Sequence, residues 1–165
     1  LNDFGYVIQV KENAPDLLRR ALSRAPVDLI GTGDYQPAER RYRLSRRVLE
    51  VCLELGFPVF VLERSPLELQ DLDLHQDIDE KAVTVVAFSI ISTPDSPGYD
   101  RVKEMECLAP PVEKRFAAME QLAQAGILTG TCMMPALPKL CDDENLQYVV
   151  RWTAEHGDNS YSPVA

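Results

Sequence analysis

Apolar positions along the chain alternate between short runs rich in β-branched residues and longer segments with helical spacing. This alternation is typical of βα units around a parallel sheet. It predicts strands at 6–10, 27–30, 59–62, 83–91 and 127–133. The run at 83–91 is almost unbroken in its apolar character, which favours burial on both faces and a place in the middle of the sheet.

Helices are predicted between these strands by apolar stripes and by residues that favour helix ends. The clearest helices cover 38–55, 112–125 and 143–156, and a shorter one covers 99–105. Asn13 is expected to cap an earlier helix that has Pro15 in its first turn. Gly56 is expected to end the helix at 38–55, and Asp142 begins an acidic cap before the last helix.

The length of 165 residues fits one domain, residues 1–165, and is shorter than a complete (β/α)₈ barrel of roughly 250 residues. Because the chain starts at Leu1 without an initiating Met, we interpret it as a fragment whose N-terminal part is missing. No stretch has the roughly 18 uninterrupted apolar residues of a membrane span, so no membrane association is expected.

The net charge of −9 argues against non-specific binding to nucleic acid, which remains possible only as a local exception. Five arginines crowd one segment, and we expect them to form a solvated surface rather than a phosphate-binding patch; they are Arg40, Arg41, Arg43, Arg46 and Arg47. The four cysteines have no compact spacing, so we expect reduced thiols, a cytoplasmic protein and no metal site within the chain.

Candidate chemistry lies where the predicted strands end, because parallel βα sheets place their ligand sites at the carboxyl ends of the strands. The polar residues there, with the Met that follows the last strand, are Lys11, Thr32, Asp34, Glu63, Arg64, Ser89, Ser92, Thr93 and Met134. The same distribution arises in any chain that leaves a buried core, and both interpretations stay open.

Several of these strand ends match one family in the same order along the chain. Residues 34–39 read Asp-Tyr-Gln-Pro-Ala-Glu, and residues 10–14 read Val-Lys-Glu-Asn-Ala. Further along, residues 88–90 read Phe-Ser-Ile, and Glu106, Ala109-Pro110 and Lys114-Arg115 follow. Ala-Gly-Ile at 125–127 and Met-Pro-Ala-Leu-Pro at 134–138 complete the series. With these motifs the chain resembles radical S-adenosylmethionine proteins of the bacterial spore photoproduct lyase type over nearly its whole length.

The resemblance implies an α/β fold, a partial (β/α)₆ TIM-like barrel of parallel strands that is here truncated at the N-terminus. It also implies a [4Fe–4S] cluster, which is ligated by cysteines at CxxxCxxC spacing and binds S-adenosylmethionine. A reductant such as flavodoxin or ferredoxin would drive cofactor cleavage, and radical chemistry would follow on a substrate that the sequence does not identify. The chain has no such cysteine triplet, so the ligands are expected upstream of Leu1.

The resemblance also implies cofactor-binding roles at matching positions. Ser89 stands where the family places a serine near the cofactor ribose, and Arg64 replaces a lysine that contacts the cofactor carboxylate. Met134 falls where backbone meets the adenine, while Lys11 and Asp34 lie at strand ends of the same site. Each has an ordinary alternative: a surface ion pair for Arg64, core packing for Met134, solvation for Lys11, and helix capping or ion pairing for Asp34. No catalytic residue is assigned.

Three positions depart from the family pattern. Glu63 takes the place of a threonine, Gly31 lies near the place of the cysteine that returns hydrogen in the repair reaction, and Cys107 replaces a proline. Glu63, Gly31 and the Asp34-Tyr35 segment, which lacks the proline that the family has between these two residues, favour an alternative function, a non-catalytic barrel fragment that acts as a binding module. His75 and His156 have no ligand spacing and are expected at the surface or with satisfied hydrogen bonds.

Overall fold

The computed structural model describes residues 7–33 and 35–157, and within them the strands form one parallel sheet. The strands are β1 (Ile30–Gly33), β2 (Val59–Glu63), β3 (Thr84–Ser89) and β4 (Leu128–Cys132). They lie in the order β1-β2-β3-β4, so neighbours in the sheet are also neighbours in the chain. The fold is therefore α/β, as predicted, with β3 inside the sheet.

Helical crossovers join the strands, because parallel neighbours require a connection of a dozen or more residues. The α-helices are α1 (Ala14–Leu22), α2 (Glu39–Tyr42), α3 (Leu44–Leu55), α4 (Leu72–Lys81), α5 (Tyr99–Met105), α6 (Val112–Gln124) and α7 (Asp143–Gly157). A 3₁₀ helix, Pro66–Asp71, precedes α4. Among the described residues, no helix is long and apolar enough to cross a membrane.

The helices bury one face of the sheet. Val59 of β2 packs in a cluster with Leu49, Cys52 and Ile78 of α3 and α4. On the same face of the sheet, residues of β3 pack against α6 in a second cluster. This cluster includes Val86, Phe88, Phe116, Met119 and Leu122. On the opposite face of the same strands, Phe60, Leu62 and Val85 are half-buried, Ala87 and Ser89 are buried, and none of the five belongs to either cluster.

Two predicted strands differ from the structure. Residues 7–10 form no strand, with Val7 and Ile8 about 60% exposed, while Tyr6 lies outside the described residues. The second strand begins at Ile30 rather than Val27, because pairing with β2 starts at Val59 and leaves residues 27–29 without a neighbour. Local apolar pattern does not fix pairing partners, and this explains both errors.

The predicted helix at 38–55 is divided at Arg43, whose φ of 47° is left-handed. The side chain of Arg43 reaches Gln70 and Asp71, and the Glu39 carboxylate accepts a hydrogen bond from the Ser45 backbone N–H at 3.0 Å. These tertiary contacts hold a backbone conformation that is unfavourable for arginine. The helices at 99–105 and 112–125 and the last helix agree with the prediction within one residue at each end.

Candidate functional site

A cleft of about 1250 Å³ opens at the carboxyl ends of β2 and β3. Its walls come from the segment before and within α2, the turn after β2, the loop before α6 and the segment after β4. The lining residues are Tyr35, Gln36, Pro37, Arg40, Leu62, Glu63, Arg64, Ser65, Pro66, Leu67, Ser89, Leu108, Ala109, Pro110, Pro111, Lys114, Met134, Pro135 and Ala136. This is the edge of the sheet at which parallel βα folds bind ligands.

Three of the five predicted cofactor-binding residues meet in this cleft: Arg64, Ser89 and Met134. Lys11 is exposed in the irregular segment before α1 and is not among the lining residues. Asp34 lies outside the described residues. Met134 is 54% exposed, so the interpretation of its side chain as core is wrong.

Ser89 joins the ends of β3 and β4. The side chain is buried, and its hydroxyl donates to the Met134 carbonyl oxygen at 2.8 Å. Because that bond uses the only proton of the hydroxyl, the oxygen lone pairs remain as acceptors. Ser89 can therefore accept a hydrogen bond from a ligand hydroxyl in the cleft.

The buried side chain of Arg115 holds the backbone at the end of β3 and in the loop before α6. Although it is 1% exposed, its guanidinium donates to the Ser89 carbonyl oxygen at 2.8 Å, the Pro110 carbonyl oxygen at 3.0 Å and the Glu106 carboxylate at 2.7 Å. From the sequence, Arg115 is only one of the motif residues on which the resemblance depends. A signal for its burial was present, since Arg115 shares the apolar face of α6 with Val112, Phe116 and Met119.

Arg64 both lines the cleft and contacts Glu106. The distance between its Nη1 and Glu106 Oε1 is 3.5 Å, and the Arg64 side chain is 46% exposed. The same carboxylate holds Arg115 at 2.7 Å, so Glu106 binds Arg115 more closely than Arg64. Exposed pairs of this length contribute little to stability, and a ligand can recruit Arg64 without a large loss.

Glu63 is 3% exposed at the end of β2 and accepts a hydrogen bond from the Tyr35 backbone N–H at 2.9 Å. This bond ties the segment after β1 to β2. Gly33, the last residue of β1, has no room for a side chain, because a Cβ there would clash with the Leu62 carbonyl oxygen. The carboxylate of Glu63 thus has a structural role besides lining the cleft.

The buried carboxylate of Asp71 accepts hydrogen bonds from three side chains. Asp71 is fully buried and accepts from the Tyr35 hydroxyl at 3.0 Å, Arg43 at 2.8 Å and Arg46 at 3.2 Å. Burial, followed by the nearby Asp71 charge, raises the pKa of Tyr35. The expected solvated arginine surface is therefore wrong for Arg43 and Arg46, which neutralise a buried acid.

Glu68 and His75 are fully buried in the connection between β2 and β3, and their ionisable atoms have no hydrogen-bond partner among the other described residues. Burial raises the pKa of Glu68 to about 9 and lowers the pKa of His75 to about 4. Both groups are therefore neutral near pH 7. The prediction that His75 is exposed or satisfied is wrong, while His156 has the Trp152 carbonyl oxygen 2.8 Å from its Nδ1.

The charge of the cleft differs in sign from that of the whole chain. Among residues 7–33 and 35–157, the lining includes three cations, Arg40, Arg64 and Lys114, and one acid, Glu63. In the part of the chain that the structure describes, Arg40 and Lys114 form no ion pair. The cleft thus carries positive charge in a protein with a net charge of −9.

The cysteines are all free thiols: Cys52 is buried, Cys107 is exposed, and Cys132 and Cys141 are intermediate. Cys52 lies in the core and Cys107 and Cys141 lie in loops, as expected, whereas Cys132 is the last residue of β4. Across residues 7–33 and 35–157, no three or more His, Cys, Asp or Glu side chains lie together in a way that could hold a metal ion.

Comparison with known proteins gives two uncharacterized relatives. The chain is 28% identical over 144 residues to the uncharacterized protein MJ0683 of Methanocaldococcus jannaschii, covering 86% of the chain and 52% of that protein. It is 25% identical over 120 residues to the uncharacterized protein ORF301 of Acidianus two-tailed virus, covering 70% of the chain and 38% of that protein. The chain thus spans about half or less of their lengths. No family model and no solved structure matches.

Proposed function

We propose that this chain is part of a radical S-adenosylmethionine enzyme related to spore photoproduct lyase, and that its sheet is an arc of a partial (β/α)₆ barrel. Strands in chain order with helices packed on one face support the barrel, because doubly wound sheets carry helices on both faces. The half-buried positions of Phe60, Leu62 and Val85 would then face the barrel interior.

The observation that carries the proposal is the meeting of Arg64, Ser89 and Met134 in one cleft. Arg64 would bind the cofactor carboxylate through a charge-assisted hydrogen bond. Ser89 would accept a hydrogen bond from a ribose hydroxyl, since its own proton is held by the Met134 carbonyl oxygen. The exposed backbone around Met134 would contact the adenine.

When bound, S-adenosylmethionine would supply radical chemistry for hydrogen abstraction from a substrate, with an iron–sulfur cluster and an external reductant providing the electron. The described residues offer no ligand set for the cluster, and we assign no step of the chain's chemistry to it. In this proposal the cluster-binding cysteines belong to a segment outside these 165 residues. The chain itself positions the cofactor: Arg115 and Glu106 hold the Ser89 and Arg64 sides of the cleft in place.

The proposal is tested with the full-length protein. We expect a CxxxCxxC segment in it, a brown iron–sulfur cluster after anaerobic reconstitution, and 5′-deoxyadenosine after reduction with S-adenosylmethionine. Ser89→Ala should weaken cofactor binding several-fold, whereas Ser92→Ala, which removes a buried hydroxyl outside the cleft, should leave binding unchanged. A full-length protein without the triplet that forms no 5′-deoxyadenosine would favour the non-catalytic binding module instead.

A further inference from the structure

The cleft is larger, and more positively charged, than the proposed cofactor requires. Single-ligand pockets typically have volumes of about 300–1,000 Å³, whereas this cleft has about 1250 Å³. S-adenosylmethionine carries one carboxylate, which Arg64 would neutralise, together with an ammonium and a sulfonium group. Arg40 and Lys114 therefore have no counterpart on the cofactor, and they would repel its positive groups if no other anion were present.

Arg40 and Lys114 also lack an acidic counterpart among the described residues. Neither forms an ion pair within the described residues, although neighbouring Arg43 and Arg46 are held by Asp71. Arg40 belongs to α2, which follows the edge strand β1, while Lys114 belongs to α6, which precedes the other edge strand, β4. Helix α6 also packs against β3 inside the sheet, and both cations line the same cleft.

Among the described residues, no acid near the cleft forms an ion pair with Arg40 or Lys114. Glu106 is engaged by Arg115 and Arg64, and Glu63 accepts the Tyr35 N–H on the β1 side. These cleft cations belong to a chain whose net charge is −9. Such a distribution attracts a small anion, while it disfavours a long polyanion that must also cover acidic surface.

From this charge balance, and resting on the proposed function, we infer that Arg40 and Lys114 bind the phosphate group of a small phosphorylated substrate that shares the cleft with the cofactor. A phosphate monoester carries about −1.5 to −2 charges at pH 7, enough to neutralise both side chains. Guanidinium and ammonium groups are the side chains that bind phosphate most strongly, arginine by paired hydrogen bonds and lysine as a point charge.

The test is calorimetric titration of the full-length protein at low ionic strength, without S-adenosylmethionine, using ribose 5-phosphate, unphosphorylated ribose and a short single-stranded oligonucleotide. We expect binding of ribose 5-phosphate and none of ribose. The double variant Arg40→Gln/Lys114→Gln should bind ribose 5-phosphate at least tenfold more weakly. The matched double variant Arg47→Gln/Lys81→Gln, which removes the same charges from exposed positions outside the cleft, should bind as the parent does.

Equal affinity of the Arg40→Gln/Lys114→Gln variant and the parent would overturn the inference, and so would binding of ribose as tight as that of its phosphate. Tighter binding of the oligonucleotide, lost in the same variant, would also overturn it and assign the two cations to nucleic acid. Because cofactor is absent from this titration, its failure is separable from a failure of S-adenosylmethionine cleavage, which is measured independently through 5′-deoxyadenosine.

Discussion

Two pairs of cations, Arg43 with Arg46 and Arg40 with Lys114, differ in what balances their charge. Arg43 and Arg46 donate to the fully buried carboxylate of Asp71, and Arg46 also pairs with Asp73, whose pKa falls to about 2 chiefly through that hydrogen bond. Arg40 lines the cleft with Lys114, and neither forms an ion pair among the described residues. The first pair stabilises the fold, and we infer that the second pair binds a ligand.

The strongest test of the structural side is Arg115→Met. This variant leaves Glu106 and two buried carbonyl oxygens without their principal donor, and we expect a loss of about 3 kcal/mol in the free energy of unfolding. Urea denaturation measures it. The double variant Arg115→Met/Glu106→Gln should recover part of the loss, because it removes the uncompensated acid. A loss below about 1 kcal/mol in the single variant would show that Arg115 does not hold the cleft.

Asp71→Asn should have the next largest effect. It removes the charge that balances Arg43 and Arg46, and we expect the free energy of unfolding to fall by about 2 kcal/mol. Asp77→Asn, at an exposed position of α4, is the matched control and should stay within about 0.5 kcal/mol of the parent. If the two variants were equally stable, the distinction between structural and ligand-directed arginines would fail.

Glu68 makes a smaller, pH-dependent contribution. Its pKa is about 9 in the folded protein and near 4.5 when unfolded, so between these values the folded state binds more protons. Stability should therefore fall as pH rises through this range, by at most about 1.4 kcal/mol per pH unit. His75, with a folded pKa of about 4, acts in the opposite direction only below about pH 6.5.

Glu68→Gln isolates that contribution, because glutamine does not titrate and keeps a similar shape. Measured between pH 7 and pH 9, the unfolding free energy of this variant should show a shallower decline than that of the parent. Identical slopes in the two proteins would mean that Glu68 is already ionised in its buried position. The cleft cations are unaffected by this change, so phosphate binding should be retained.

The sequence predicted the elements whose signals are local. The run around 83–91 has no polar face, and the structure places it inside the sheet as β3. The acidic cap of the last helix is also confirmed, since Asp142 accepts a hydrogen bond from the Asn145 N–H at 2.9 Å. These features depend on neighbours in sequence, which pattern and capping preferences describe well.

Features that depend on distant residues were not predicted. The break at Arg43 requires Asp71, 28 residues away, and the burial of Arg115 requires the Ser89 carbonyl oxygen, 26 residues away. The same limit applies to the site. Their positions at strand ends made Arg64 and Ser89 candidates. Only the folded cleft shows which of its cations form no ion pair with the described acids.

The measurement that tests the central claim most directly is equilibrium binding of S-adenosylmethionine to the full-length protein and to Arg64→Ala. The account predicts that Arg64→Ala raises the dissociation constant at least tenfold, because the cofactor carboxylate loses its charged partner. Arg101→Ala, which removes an exposed arginine of α5 outside the cleft, should bind as the parent does. Equal dissociation constants for the parent and Arg64→Ala would contradict the account.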